Sequence, residues 1–226
     1  MAAVRTAEIR PQVGGIVQRR QFAQGAEVKE GQVLFEINPA PFQAEVDNAE
    51  ANLKRAIAAL DRARQQAERL ESLVDADAVS RQLYDDALAQ RNQAAAEMDQ
   101  ARANLARRRL DLGFATVRAP IGGRIGEELV TEGALVGTTD LSPMARVQQI
   151  DQVYVDVRQP ASMLETIRAS AGQGGEGGGK AQILDARGQP YPVSGRILFS
   201  GINVDAGTGD VVLRIRVDNP ERRLLP

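Results

Sequence analysis

A short phrase occurs twice in this sequence, and its two copies constrain the fold more than any other feature. The first copy is Val13-Gly14-Gly15-Ile16-Val17, and the second is Ile121-Gly122-Gly123-Arg124-Ile125. A second match follows each copy at the same distance, Gly25-Ala26-Glu27-Val28 in the first case and Gly133-Ala134-Leu135-Val136 in the other. Because apolar residues, glycines and spacing recur together, the sequence predicts two halves of one β-domain, separated by a long insert.

The insert has the periodicity of two long helices. From Pro41 to about Val74, and again from Tyr84 to Leu112, mostly apolar residues alternate in steps of three and four, the heptad pattern of a coiled coil. The segment from Val74 to Ser80 breaks the pattern and is short enough to join antiparallel helices. We therefore expect a thin antiparallel hairpin about 50 Å long. Its seam positions are Val46, Ala49, Leu53, Ala56, Leu60, Ala63, Ala67, Leu70, Val74, Tyr84, Ala87, Arg91, Ala94, Met98, Ala101, Leu105, Arg108 and Leu112.

Three residues near the tip of the hairpin are candidates for a role outside it. Arg69 and Leu73 lie off both apolar lines, so the hairpin itself does not obviously need the apolar side chain of Leu73. Local packing against the turn is one explanation for Leu73. Ser80 stands where the second helix should begin, and capping of that helix is its simplest explanation.

Short strands are expected on both sides of the hairpin. Residues 9–37 and 116–147 alternate apolar stretches with glycines, as short strands with tight turns do. Each half is too small to bury its apolar face alone, so the halves should pack as a sandwich. The glycines expected to allow close packing at the β-turns are Gly14, Gly15, Gly122, Gly123 and Gly133.

The sequence after Gln148 again indicates β-structure. Candidate strands lie at residues 153–157, 181–184, 195–199 and 211–217, and the pattern favours a small antiparallel barrel. Residues 162–171 are predicted to form one short helix and residues 172–179 a glycine-rich loop. Lys180 follows these glycines, but the strand-to-helix context of a phosphate loop is missing.

Composition excludes several kinds of site. The 226 residues include no cysteine and no histidine, which removes disulfides, thiolate metal sites, the usual general base and the usual zinc ligand. A net charge of -2 gives the whole chain no electrostatic footprint for nucleic acid. No apolar run approaches the ~20 residues needed to cross a bilayer. Composition leaves only carboxylate or lysine chemistry for an enzyme, and no catalytic constellation of that kind appears in the sequence. We expect no catalytic residue, no cofactor and no metal site.

Split β-halves around a helical hairpin, followed by a β-barrel, resemble the periplasmic adaptor proteins of bacterial tripartite efflux pumps. These adaptors are also called membrane fusion proteins. The resemblance is strongest to the adaptors of resistance-nodulation-division (RND) multidrug pumps, the AcrA and MexA type, and it covers essentially the whole chain. The phrases that carry it lie at residues 10–17, 119–126, 130–136, 147–157, 207–209, 219–220 and 224–226.

The resemblance implies an α+β multidomain fold. Residues 1–38 and 114–147 would form a lipoyl-like β-sandwich, split by an antiparallel α-helical coiled-coil hairpin at residues 39–113. A small antiparallel β-barrel, incomplete at the chain ends, would follow at residues 148–226. By their spacing, Arg69, Leu73 and Ser80 match the arginine, leucine and serine with which the family's hairpin tips dock onto an outer-membrane channel.

The resemblance also implies a non-catalytic adaptor and its partners. These are an inner-membrane RND transporter, an outer-membrane channel of the TolC type and further copies of the adaptor, arranged as a ring of six or as dimers within it. The location would be the periplasm, with attachment to the inner membrane in a longer protein. Relatives carry an export signal, and many a lipid-modified cysteine, before the first β-half. They also continue beyond the last strand into a membrane-proximal domain, so we expect this chain to be part of a longer protein.

Three alternatives remain open from the residues. An adaptor of an ABC or major-facilitator exporter would have a similar shape, although the phrases after Ala119 favour the RND type. A lipoyl or biotinyl carrier domain would need a lysine at the turn between the halves, where the hairpin stands instead. A heavy-metal efflux adaptor should offer methionine or histidine ligands, but histidine is absent and the methionines are scattered.

Overall fold

A computed structural model describes residues 1–163, 180–184, 188–198 and 207–225. Most of the helix predicted at residues 162–171, and the whole glycine-rich loop predicted at 172–179, lie outside these ranges. The described elements follow one another as β1 (Ala2–Ala3), β2 (Thr6–Ile9), β3 (Gly15–Arg20), β4 (Glu27–Val28), β5 (Val33–Ile37), α1 (Ala40–Asp75), α2 (Arg81–Phe114), β6 (Thr116–Arg118), β7 (Gly123–Ile125), β8 (Leu135–Val136), β9 (Ala145–Gln148), β10 (Gln152–Pro160), a 3-10 turn (Ala161–Met163), β11 (Lys180–Leu184), β12 (Pro190–Leu198) and β13 (Asp210–Asp218).

Two four-stranded antiparallel sheets lie at the base of the helical hairpin, where the chain enters α1 and leaves α2. One has the strand order β2-β9-β7-β4 and the other β6-β5-β3-β8. Each sheet therefore contains two strands from before the hairpin and two from after it. The prediction of one β-domain made from two halves is confirmed, and the halves interleave rather than forming one sheet each.

The repeated phrases pair crosswise, once in each sheet, beside the edge strands β8 and β4. The Val17 N–H donates to the Ala134 carbonyl (2.9 Å), and the Gly133 N–H donates back to Val17 (2.8 Å). At the matching place in the other sheet, the Ile125 N–H donates to Ala26 (3.0 Å) and the Gly25 N–H donates to Ile125 (3.0 Å). The first phrase of each half is thus bonded to the second phrase of the other half, which gives the two sheets a common local pattern.

The two sheets enclose one apolar core. Its members include side chains from both halves, and Phe22 contacts Phe35 edge to face with 5.2 Å between the ring centroids. Full burial of one such side chain stabilises the fold by about 1.5–3 kcal/mol. The most deeply buried large side chains of this core are Leu34, Phe35, Ile37, Ile125, Met144, Val17 and Val147.

The hairpin is built as its heptad pattern predicts. All of the predicted seam positions are buried or half-buried, whereas most other positions on α1 and α2 are exposed. Near the base, Arg109 of α2 donates to the Glu50 carboxylate of α1 (2.6 Å). Below the helices the Ile37 N–H donates to the Ala115 carbonyl (2.8 Å). The chain therefore leaves and re-enters the sandwich at one hydrogen-bonded point.

In the described residues the C-terminal part is a five-stranded antiparallel sheet with the order β1-β10-β13-β12-β11. Strand β1, at the start of the chain, pairs with β10, a contact that the sequence pattern did not indicate. Asn219 is buried where this sheet meets the sandwich. Its side-chain amide donates to the carbonyls of Ile150 (2.7 Å) and Leu224 (2.8 Å), which ties the end of β13 to the connection between sandwich and sheet.

Gly123 lies where two strands approach too closely for a side chain. A Cβ at this position would lie 2.7 Å from the Gln148 carbonyl carbon of the neighbouring strand β9. This carbonyl belongs to the backbone of a paired strand, so it cannot rotate away as the end of a side chain could. A Cβ at the adjacent Gly122 would have its nearest neighbours at 3.6 Å, an ordinary van der Waals distance.

Gly123→Ala should therefore lower the free energy of unfolding by about 1–3 kcal/mol, because strands β7 and β9 must separate to admit the methyl group. Gly122→Ala is the matched control. It should leave stability unchanged or raise it by up to about 1 kcal/mol, since alanine restricts the unfolded chain. Urea denaturation followed by circular dichroism measures both. Equal stability of the two variants would show that the close approach at Gly123 does not constrain the sandwich.

Candidate functional site at the hairpin tip

The turn at the hairpin tip has a defined hydrogen-bonded structure. The Ala78 N–H donates to the Leu73 carbonyl (2.8 Å), and the Asp77 N–H donates to the Val74 carbonyl (2.9 Å). These two bonds form the Schellman motif that commonly ends α-helices. Asp77 occupies the left-handed position with φ 54°, where glycine is usual and aspartate is tolerated better than most residues. The end of α1 is thereby fixed at the tip.

Ser80 begins the second helix. Its backbone is extended (φ -73°, ψ 147°), and its hydroxyl accepts a hydrogen bond from the Leu83 N–H (3.3 Å). This is the geometry of an N-cap residue, and it confirms the simplest sequence explanation for this serine. The residue is also exposed, so capping leaves one side of the hydroxyl open to solvent.

Arg69 and Leu73 lie one turn apart on α1 and are both exposed. Leu73 is 37% accessible although Leu70, three residues earlier, is only 6% accessible and packs in the tip cluster with Ala67 and Ala87. Within the described ranges no ion pair involves the Arg69 guanidinium. Packing against the turn therefore covers only part of Leu73, and the side chains of both residues are available to a partner.

Leu83 is a second exposed leucine at the tip, and sequence reasoning missed it. It is 47% accessible and lies in the first turn of α2, where its N–H is bonded to Ser80. The available signal was an apolar residue outside both seam lines, three residues after the predicted helix cap. Leu73 and Leu83 together give the tip an apolar character on both helices.

The sequence around the exposed leucines of the tip is rich in acidic residues. Residues 68–86 include six carboxylates but only two arginines, Arg69 and Arg81. Tyr84 is half-buried in the tip cluster. Burial raises its pKa, and the nearby charges of Glu71 and Asp75 raise it further. The carboxylates are Glu68, Glu71, Asp75, Asp77, Asp85 and Asp86.

The glycines singled out in the sequence lie at two kinds of position in the sandwich. Gly15 and Gly123 are the first residues of β3 and β7, and Gly14 and Gly122 directly precede them. Gly133 lies in a turn with φ +86°, a conformation that L side chains rarely adopt.

An exposed apolar pair lies beside the glycines on the edge of one sheet. Ile16 of β3 pairs directly with Leu135 of β8, and their side chains are 51% and 78% accessible. Strand β8 is the edge of its sheet. The sandwich thus presents two large apolar side chains to solvent at an open strand edge, a feature typical of interaction surfaces.

Other kinds of site find no support in the described part of the chain. No group of three or more acidic side chains in it is placed to hold a metal ion. No described helix is long and apolar enough to span a membrane. Every buried polar side-chain atom there has a hydrogen-bond partner. The exposed tip and the exposed strand edge therefore remain the functional candidates.

Comparison with known proteins agrees with this geometry. The barrel-sandwich hybrid domain of RND membrane fusion proteins matches residues 5–148, and the β-barrel domain of the same proteins matches residues 152–226. The chain is 42% identical to the multidrug resistance protein MexA of Pseudomonas aeruginosa and 40% identical to the multidrug export protein AcrE of Escherichia coli. Each alignment covers 99% of this chain, which spans 56% and 59% of the length of these relatives.

Solved structures show the same fold. A MacA–MexA chimeric protein carrying the Pseudomonas aeruginosa MexA α-hairpin domain aligns with 99% of this chain and 75% of its own, with a TM-score of 0.58 and 25% identity. ZneB from Cupriavidus metallidurans aligns with 98% of this chain and 63% of its own, with a TM-score of 0.54 and 26% identity. The chain belongs to the family of RND membrane fusion proteins.

Proposed function

We propose that this chain is the central part of a non-catalytic periplasmic adaptor, which links an inner-membrane RND transporter to an outer-membrane channel for drug export. The observation that carries the proposal is the exposed, ordered tip of a hairpin that extends about 50 Å from the sandwich. Relatives named as multidrug resistance and export proteins support it. The rigid hairpin would act as a spacer, with recognition at its end.

The proposed functional units correspond to successive parts of the fold. We propose a lipoyl-like sandwich (residues 1–38 and 114–147), a hairpin (39–113) and a barrel (148–226) as the functional units. The periplasm is the proposed location, in line with relatives named as periplasmic linkers. Attachment to the inner membrane would be provided by other parts of a longer protein.

We propose that the tip docks onto an outer-membrane channel of the TolC type through Arg69, Leu73 and Ser80. Leu73 would contribute apolar contact, since its side chain is only partly covered by the hairpin. Arg69 would contribute a cation that no described carboxylate neutralises. Ser80 would hold the turn in shape through its cap to Leu83. Leu83 adds a further apolar contact at the same end of the hairpin.

We also propose that adaptors associate side by side through their sandwiches to form a ring. The exposed pair Ile16 and Leu135 is the surface that supports this arrangement, because a neighbouring copy would remove both side chains from water. Close packing at Gly14, Gly15 and Gly123 would keep this surface in one shape, whereas Gly122 and Gly133 would serve the turns rather than close strand contacts.

Leu73→Asp should abolish drug resistance conferred by the full-length adaptor, because a charged group would replace the exposed apolar contact of the tip. The fold should be unaffected, since Leu73 is already exposed to solvent. The measurement is drug susceptibility of a strain that depends on this adaptor, together with expression level and melting temperature. Leu141→Asp is a control at a leucine that is 93% accessible and lies on the sandwich side of the molecule. Wild-type resistance of the Leu73 variant at normal expression would contradict docking through the tip.

Leu135→Glu should weaken self-association by at least about tenfold, because a charge would be buried at a contact between copies. Analytical ultracentrifugation of the full-length adaptor over a range of concentrations measures the effect. The matched control is Leu141→Glu, which adds the same charge at another exposed leucine. If both variants associate like the wild type, the Ile16 and Leu135 edge is not the contact between copies.

A further inference from the structure

The first turn of α2 contains an apolar residue where the helix itself would gain from a polar one. Helix α2 begins at Arg81 with Ser80 as its N-cap, so Leu83 occupies the third helical position. A glutamate or glutamine at that position can accept a hydrogen bond from the N-cap backbone N–H and complete a capping box. Among the residues that the structure describes, none accepts a hydrogen bond from the Ser80 N–H. Leucine at position 83 therefore leaves unused a bond that would stabilise the start of the helix.

Local packing does not account for Leu83 either. A hydrophobic staple joins the residue before the N-cap to the fourth helical position. In α2 these positions are held by Val79 and Tyr84, which are both half-buried against the tip cluster. Leu83 is 47% accessible, and within the described part of the chain it lies outside this cluster. The start of α2 therefore has both staple residues packed without any contribution from Leu83.

The charge in this first turn does not favour the helix. Acidic side chains stabilise the N-terminus of a helix, and basic ones oppose its dipole. The first turn of α2 contains no acidic residue and begins with Arg81. Arg81 and Leu83 are both exposed, and neither assists helix initiation. Exposed residues that break the local rules of helix formation are expected where a surface serves a function.

We propose that Leu83 is a second anchor of the tip, which requires the channel to present an apolar surface to α2 as well as to α1. This role rests on the proposed docking of the tip through Arg69, Leu73 and Ser80. The bond from the Ala78 N–H to the Leu73 carbonyl and the Ser80 cap on the Leu83 N–H order the chain between the two leucines. Both leucines are thereby held exposed at the same end of the hairpin, one on each helix. A partner seated on that end would remove both side chains from water.

The test is Leu83→Gln in the full-length adaptor, measured as drug resistance of a strain that depends on this adaptor. Resistance should fall toward that of a strain without the adaptor, because the apolar surface of the channel would meet a polar side chain. The melting temperature, followed by circular dichroism, should equal or exceed that of the wild type, since glutamine can complete the capping box. Leu83→Met should retain most of the resistance, because it keeps an apolar side chain of similar volume.

Leu110→Gln is the matched control on the same helix. Leu110 is 60% accessible and lies about 40 Å from Leu83 along α2, so this variant should keep wild-type resistance. An equal loss of resistance in the Leu110 and Leu83 variants would overturn the proposal, because it would indicate a general effect on the hairpin. So would a loss in Leu83→Gln that comes with a lower melting temperature, since Leu83 would then serve the fold.

The variant Leu73→Asp separates this role of Leu83 from docking itself. If Leu73→Asp abolishes resistance and Leu83→Gln leaves it at the wild-type level, the second anchor is overturned and docking through α1 stands. Wild-type resistance of both variants at normal expression would contradict docking of the tip, and the role of Leu83 would fall with it.

Discussion

The crossed pairing of the two repeated phrases is the interaction on which the rest of the structure depends. Val17 is bonded to Ala134 and Gly133 in one sheet, and Ile125 is bonded to Ala26 and Gly25 in the other. Each half contributes only two strands to each sheet, and a pair of strands is marginal in water. Interleaving gives each sheet four strands and the two halves one core. The long insert starts and ends on β5 and β6, which pair with each other inside one of these interleaved sheets.

The hairpin places its tip about 50 Å away from this base. Its seam is rich in alanine, which allows close approach of the helices, and small apolar clusters lie near both ends. The Schellman turn and the Ser80 cap then order the tip, so that Leu73 and Leu83 are held exposed rather than folded inward. An adaptor needs this combination, because a flexible tip would lose conformational entropy on docking.

Much of this fold could be predicted from the sequence because its strongest patterns are local. The heptad spacing identified the seam, and Ser80 could be recognised as a cap from its position alone. The repeat indicated two β-halves, but which strand of one half pairs with which strand of the other depends on tertiary packing. The same limit applies to the pairing of β1 with β10. A shift of one residue in register moves every side chain to the other face of a sheet. The Ile16–Leu135 pair therefore became visible only once the register was known.

The central claim is that the crossed phrases form one cooperative unit, and native-state hydrogen exchange of four amides tests it most directly. These are the N–H groups of Val17, Gly25, Ile125 and Gly133, two from each half. If the halves depend on each other, all four should exchange with the same free energy of opening, equal to that of global unfolding of the sandwich. Exchange of Val17 and Gly25 through a clearly lower free energy than Ile125 and Gly133 would show that one half stands without the other and would contradict the account.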